Sequence, residues 1–111
     1  MTNTAKGKTA EMHAEELLSS RGYRVIERNA RMPGAEIDLV CVDGKTLVFV
    51  EVKRRDGTRF GSALSAVDAR KRARLRAAAA DYAQILAPRA RVRFDVVAVD
   101  GDRTTLHRDV F

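Results

Sequence analysis

A chain of 111 residues is long enough for one domain with a single core and too short for two. Hydrophobic residues make up 45% and charged residues 32%, and the apolar positions recur with clear periods, which excludes a disordered polyelectrolyte. Twenty-one Lys and Arg against 15 Asp and Glu leave a net charge of +6, which favours polyanionic partners, nucleic acid first among them, although basic charge also serves plain solubility.

Residues 1–8 are polar, small and basic and read as a flexible lead-in with no apolar core of a signal peptide. No stretch approaches the roughly 20 apolar residues of a membrane helix, so a cytoplasmic location is expected. Thr9 is placed to cap a helix running to about residue 20, with Ala10, Ala14, Leu17 and Leu18 at helical spacing and Gly22 just beyond its end. Residues 23–28 alternate as a strand, and 29–34 read as a loop closed by the Pro33-Gly34 turn. Two β-branched runs follow, 35–42 and 46–54, joined across Asp43-Gly44 as a hairpin. Cys41, the single cysteine, lies inside the first run and reads as a buried small hydrophobe, which excludes an intrachain disulfide and fits a reducing compartment.

Residues 56–65, with Gly57 and Gly61, form a loop before a helix over 66–86, whose stripe is Val67, Leu75, Ala78, Tyr82 and Ile85 and which Pro88 ends. Residues 92–99 are apolar apart from Arg93 and Asp95, as in a central strand covered on both faces, and 105–111 offer an edge strand. A helix linking the hairpin to the 92–99 strand implies a right-handed crossover and a parallel pair. The expected fold is therefore α/β: residues 9–111 form one domain, a central mixed sheet flanked by helices in the order αβββαβ with a further β.

Within strand 46–54, Leu47, Phe49, Glu51 and Lys53 point one way and Val48, Val50 and Val52 the other. In its partner, Glu36, Asp38 and Val40 share a face opposite Ile37, Leu39 and Cys41. A two-residue turn at Asp43-Gly44 sets Glu36 opposite Glu51 with Asp38 diagonal to it; a four-residue loop from Asp43 to Thr46 sets Asp38 directly opposite Glu51. Either keeps both carboxylates on one face, and a three-residue loop or a bulge would part them.

Two carboxylates that close repel unless a cation lies between them, one is protonated or a base is paired with them. Oxygen ligands suit Mg²⁺ or Mn²⁺, with the Val52 carbonyl as a candidate further donor. Lys53, two residues on, is placed to contact a scissile phosphate or to help deprotonate a water, a combination that fits phosphodiester hydrolysis. The alternative is an ion-pair network in which Lys53 neutralises Glu51 and Asp38 without metal. Placement favours the site, because these charges interrupt apolar runs at the ends of central strands, where decorative charge is costly.

The stretches Glu36-Ile37-Asp38-Leu39, Phe49-Val50-Glu51-Val52-Lys53 and Arg93-Phe94-Asp95-Val96-Val97 resemble the YraN-like family of bacterial proteins, a likeness that spans about Gly7 to the C-terminus. The resemblance implies a restriction-endonuclease-like fold and the Asp…Glu-x-Lys signature shared with Holliday-junction resolvases and other DNA nucleases. It implies that Asp38 and Glu51 are metal ligands, that Lys53 is the catalytic lysine, and that Glu11 is the first-helix glutamate beside the metal site. Glu36 matches a glutamate of less defined role. The family usually has Gly where this chain has Ala35, and Ile37 stands where the wider superfamily has proline. Resolvase-like enzymes often act as dimers, so a homodimer is compatible with the reading.

For the nucleic acid, Arg70, Lys71, Arg72, Arg74 and Arg76 open the second helix and cannot all share one face. Arg72 and Arg76 form one i,i+4 row, whereas Lys71 lies on the Val67 and Leu75 row facing the sheet, matches a lysine position of the family, and is expected to reach the active site. Arg54, Arg55 and Arg59 follow the hairpin beside the proposed metal. The aromatic residues occupy periodic apolar positions and read as core, so recognition of backbone and shape is expected rather than base stacking. His13 and His107 lack partners at metal-ligand spacing and read as surface residues. The function expected is a Mg²⁺- or Mn²⁺-dependent endonuclease acting on DNA, branched or otherwise structured. A non-catalytic nucleic-acid-binding module of the same fold is the alternative, and an adaptor for acidic protein partners a third.

Overall fold

Thr9 accepts a hydrogen bond from the Met12 backbone N–H at 3.2 Å, and so starts the first helix, α1 (Ala10–Ser20), as a side-chain cap. The computed structural model describes residues 9–55 and 69–110. The lead-in over 1–8, the loop with Arg59 and Phe60, Val67 and Phe111 lie outside the described residues. After α1 come β1 (Arg24–Met32), β2 (Ala35–Asp43), β3 (Thr46–Arg55), α2 (Ala69–Leu86), β4 (Arg91–Asp100) and β5 (Arg103–His107).

The five strands form one sheet in the order β1-β2-β3-β4-β5. Its pairs are antiparallel except β3 and β4, which run parallel from Thr46 and Arg91 to Arg55 and Asp100. This is the mixed α/β sheet that the sequence implied, with α2 making the crossover between the parallel strands. Ala14 and Leu18, one turn apart on α1, bury against Leu39, Cys41, Val48, Val50, Val97 and Val99. On the other face Leu75, Ala79 and Ala83 of α2 cover Ile37, Val40, Leu47, Phe49 and Phe94. The small alanines let α2 lie close to the sheet, and Phe49 fills the space between, with ring centroids 5.7 Å from Tyr82 and 5.5 Å from Phe94.

Four local expectations are corrected. Strand β1 does not stop at Arg28 but continues through Asn29 to Met32, leaving only Pro33 and Gly34 as the turn. The hairpin turns on Gly44-Lys45 rather than Asp43-Gly44, because Asp43 pairs with Thr46 and Gly44, with φ of 63°, takes the first central position that a type II′ turn gives to glycine. Strand β5 lies at 103–107, ahead of the expected 105–111. Ile85, expected on the buried stripe of α2, is 88% exposed. Among the described residues no helix is long and apolar enough to cross a membrane.

Candidate active site at the ends of β2 and β3

The shifted turn sets the register. With Asp43 opposite Thr46, the ladder runs to Leu39 opposite Val50, and one further step brings Asp38 level with Glu51. This is the direct opposition expected of a four-residue loop, reached with a two-residue one, since both place Val42 opposite Leu47.

Strict alternation fails at Asp38. Leu39 and Cys41 share a face, as expected, and pack beneath α1, but Ile37, expected with them, joins Val40 in the layer beneath α2. Opposite Asp38 on β1 the pairing passes from Arg28 and Leu39 to Ala30 and Ile37, skipping Asn29, whose φ is 52°. A left-handed residue breaks the pleat, and the side chains on either side of it change faces. Level with it on β2, Asp38 turns toward the backbone of β3: its Oδ2 accepts the Val52 N–H at 2.8 Å. A strand residue sends its N–H and C=O toward the same neighbour, so the Val52 carbonyl faces the same gap between β2 and β3.

Glu51 projects from the α2 face of β3. Its Oε2 meets two ammonium groups, Lys53 Nζ at 3.2 Å and Lys71 Nζ at 3.1 Å. Lys71 reaches it from α2 because Leu75, one turn later on the same row, is buried against the sheet. Burial lowers the Lys71 pKa, but the hydrogen bond and charge of Glu51 outweigh it and hold the ammonium above its usual range. Asp38 shifts upward: burial is the main cause, the charges of Glu51 and Glu11 add to it, and the Val52 N–H and Lys53 oppose it.

Among the described residues, hydrogen bonds and ion pairs engage Asp38 Oδ2 and Glu51 Oε2, leaving Asp38 Oδ1 and Glu51 Oε1 open. An open oxygen on each of two opposed carboxylates, with a backbone carbonyl facing the gap, is a donor set that suits a hard divalent cation. Among the described residues no three His, Cys, Asp or Glu side chains gather into a metal shell, so Glu11 does not close on Asp38 and Glu51 as a third ligand. It stands exposed in the first turn of α1, close enough for its charge to act on Asp38.

Other predicted residues fall around this cluster. Arg54 is exposed on β3, and Arg72 and Arg76 are exposed on α2. Arg55 ends β3, but its side chain, like Arg59, lies outside the description. Glu36 turns away and meets Arg31 at 3.7 Å. His13 and His107 are half-buried, and His107 lies 3.4 Å from the Thr105 hydroxyl. Tyr23, Phe49 and Phe94 are core residues, as their periodicity implied, and Cys41 is a buried thiol whose pKa burial pushes up to about 12.

The family model described as "Uncharacterised protein family UPF0102" matches residues 10–99. The chain belongs to this family. The matched span runs from α1 to β4 and contains Glu11, Asp38, Glu51, Lys53 and Lys71. A UPF0102 protein of Dechloromonas aromatica is 47% identical over 102 residues, covering 92% of this chain and 84% of its own length. One of Moorella thermoacetica is 48% identical over 105 residues, with 93% and 87% covered, and one of Shewanella loihica is 45% identical over 97 residues, with 87% and 85% covered. The YraN-like resemblance read from the motifs is this same family.

Sequence reasoning missed a second polar cluster, on the α1 face. Asp95 is 1% exposed and accepts from the Tyr23 hydroxyl at 2.7 Å, from Arg93 Nε at 3.0 Å and from the Asp109 N–H at 2.9 Å. Arg93 also donates to Tyr23 at 2.6 Å and to Asp43 at 3.0 Å. The available signal was an Asp inside an otherwise apolar strand, two residues from an Arg on the same face.

Proposed function

We propose that the protein is a Mg²⁺- or Mn²⁺-dependent endonuclease that hydrolyses phosphodiester bonds in DNA, with branched or otherwise structured DNA as the preferred substrate. The observation that carries the reading is the opposition of Asp38 and Glu51 across the frayed end of the β2–β3 ladder, with Lys53 and Lys71 both on Glu51. Asp38 Oδ1, Glu51 Oε1 and the Val52 carbonyl would hold the cation. Bound there, it supplies Lewis-acid stabilisation of phosphate charge and raises the acidity of a nearby water.

The chain's own groups do the rest. The Val52 N–H holds Asp38 through Oδ2, so that its other oxygen is the one left for the cation. Glu51 holds Lys53 and Lys71 as a pair of ammonium groups, and a phosphate arriving at the cluster would replace part of the carboxylate's claim on them. Lys53 then stabilises negative charge developing on the phosphoryl oxygens, or passes a proton at its Nζ. Glu11 adds negative charge from the α1 side and positions rather than ligates. Arg54, Arg72 and Arg76, with Arg55 and Arg59, are the candidate contacts to the DNA backbone, binding phosphate without reading sequence.

The deciding experiment is cleavage of duplex, single-stranded, flap and four-way DNA with Mg²⁺ and with Mn²⁺, paired with calorimetric titration of each ion into the wild type and Asp38→Ala. Cleavage of at least one substrate and ion binding that disappears in Asp38→Ala are expected. Ion binding without cleavage of any substrate favours the non-catalytic nucleic-acid-binding reading. No ion binding removes the metal from the proposal, and the double ion pair on Glu51 then stands as a salt-bridge cluster.

A further inference from the structure

At the far end of the sheet from these carboxylates, a cavity of about 410 Å³ opens between the hairpin turn, β1 and the end of α2. Thr46, on its wall, and Lys53 lie seven positions apart on β3, about 23 Å along the strand. The wall is mainly apolar, with Ile26, Val42, Leu47 and Leu86 supplying its large side chains. Among the described residues the exposed large apolar side chains are Met12, Ile26, Ile85, Leu86 and Val92. Of these, Ile26 and Leu86 line the cavity, and Val92 pairs with Leu47 of its wall. Concentration of exposed apolar surface around a concavity, rather than its scatter over the molecule, is the mark of a binding site.

The charge around the cavity has one sign. Among the described residues Arg24 and Lys45 stand on its wall and no carboxylate does, and the flanking Arg89 and Arg91 are exposed. The nearby acids are engaged elsewhere: Glu27 accepts from the Tyr82 hydroxyl, and Asp43 meets Arg93 and Arg108. Phosphate would gain from the cations but nothing from the apolar wall, and among the described residues that wall holds no aromatic ring on which a base could stack. A second copy of the chain would bring its own net charge of +6 to a cationic rim.

We infer that this groove docks an acidic peptide segment of a partner protein, which sets one large apolar side chain between Ile26, Leu47 and Leu86 and its carboxylates against Arg24 and Lys45. The inference does not depend on the nuclease reading, since the two sites share no residue. It gives the protein a means of recruitment that leaves the Glu51 cluster open.

The test uses fluorescein-labelled eight-residue peptides carrying four Asp or Glu and one Leu, Phe or Trp, with an all-acidic peptide as control. Anisotropy should detect binding of at least one apolar-anchored peptide, about tenfold or more tighter than the control. Amide NMR shifts should fall on Lys45, Leu47 and Leu86 rather than on Glu51 and Lys53. Lys45→Glu and Leu86→Asp, both at exposed positions, should each weaken binding about tenfold or more while leaving DNA cleavage or binding at the wild-type level. The inference fails if no peptide binds, if the all-acidic peptide binds equally well, or if a single-stranded oligonucleotide displaces the peptide from the shifted residues. It also fails if Leu86→Asp converts a dimer to a monomer, because a second copy then covers the groove.

Discussion

Among the described residues two clusters of charge interrupt the core, one on each face of the sheet, and they differ in how completely their polar atoms are satisfied. Around Asp95 each carboxylate oxygen has a donor, Arg93 is shared between two acids and the Tyr23 hydroxyl, and a backbone N–H closes the set. Around Glu51 two lysines crowd one oxygen, Asp38 is held through one oxygen by a backbone N–H, and among the described residues both carboxylates keep an oxygen open. A closed network ties β4, the α1–β1 connection and the tail after β5 into one unit; an open one retains like-charge repulsion that a ligand could relieve. Similar residue types in one sheet thus serve stability in one place and are poised for chemistry in the other.

The largest expected effect tests the closed cluster. Asp95→Ala would leave Arg93 largely buried with Asp43 as its remaining acid and would take from the Tyr23 O–H its acceptor, a loss of about 3–5 kcal/mol. Urea unfolding should show the midpoint fall accordingly, and a change below about 1 kcal/mol would mean that the network is decorative. On the open side, Lys53→Ala should lower cleavage by about 10²–10³-fold while calorimetric ion affinity stays near wild type, because the ammonium acts on phosphate rather than on the cation. Unchanged cleavage would remove Lys53 from the mechanism. The same substitution should scarcely alter the urea midpoint, since Lys71 still neutralises Glu51.

Alkaline titration separates the clusters more finely. Burial, followed by the hydrogen bond and charge of Asp95, raises the Tyr23 phenol from 10.0 to about 12. Its neutral form is favoured in the fold, so this contribution to stability is complete below pH 10 and is lost as pH rises toward 12. Tyr82, raised to about 12 by burial and by Glu27, behaves in the same way. Tyr23→Phe should therefore be less stable than wild type at neutral pH and should lose less stability between pH 10 and 12, as read by denaturant midpoints. Equal slopes in the two proteins would mean that the phenol titrates normally.

The sequence reveals the open cluster better than the closed one, for a physical reason. Glu51 and Lys53 lie two apart in one strand, and Asp38 lies in the strand next to it in the chain, so a hairpin and a period of two bring them together. Their shared level depends on even register alone, and it survives the displacement of the turn from Asp43-Gly44 to Gly44-Lys45. Tyr23 and Asp95 are 72 residues apart, and only the full strand order joins them. The face of Asp38 was not legible either: it lies at a break in the alternation of β2, level with the left-handed Asn29 of β1, and hydrophobic alternation does not encode such a break. Ile85 misled for the opposite reason, because helical spacing identifies a stripe without giving the place where the sheet beneath it ends.

The smallest effect decides whether the open cluster is open for a cation. Asp38 has a folded pKa above its unfolded value, raised by burial first and then by Glu51 and Glu11. The sign is the reverse of the usual carboxylate case: the ionised form is penalised in the fold, the penalty is present at neutral pH, and it fades as pH falls through the folded pKa. Asp38→Asn keeps an oxygen to accept the Val52 N–H and removes the charge, so in metal-free buffer at neutral pH its Tm should exceed the wild type by a few degrees, with the gap closing on acidification. Added Mg²⁺ or Mn²⁺ should close the same gap from the other side, since a cation stabilises the carboxylate and gains little from the amide. If the wild type and Asp38→Asn melt together in metal-free buffer, the carboxylate carries no strain for a cation to relieve, and the difference between the two clusters reduces to exposure.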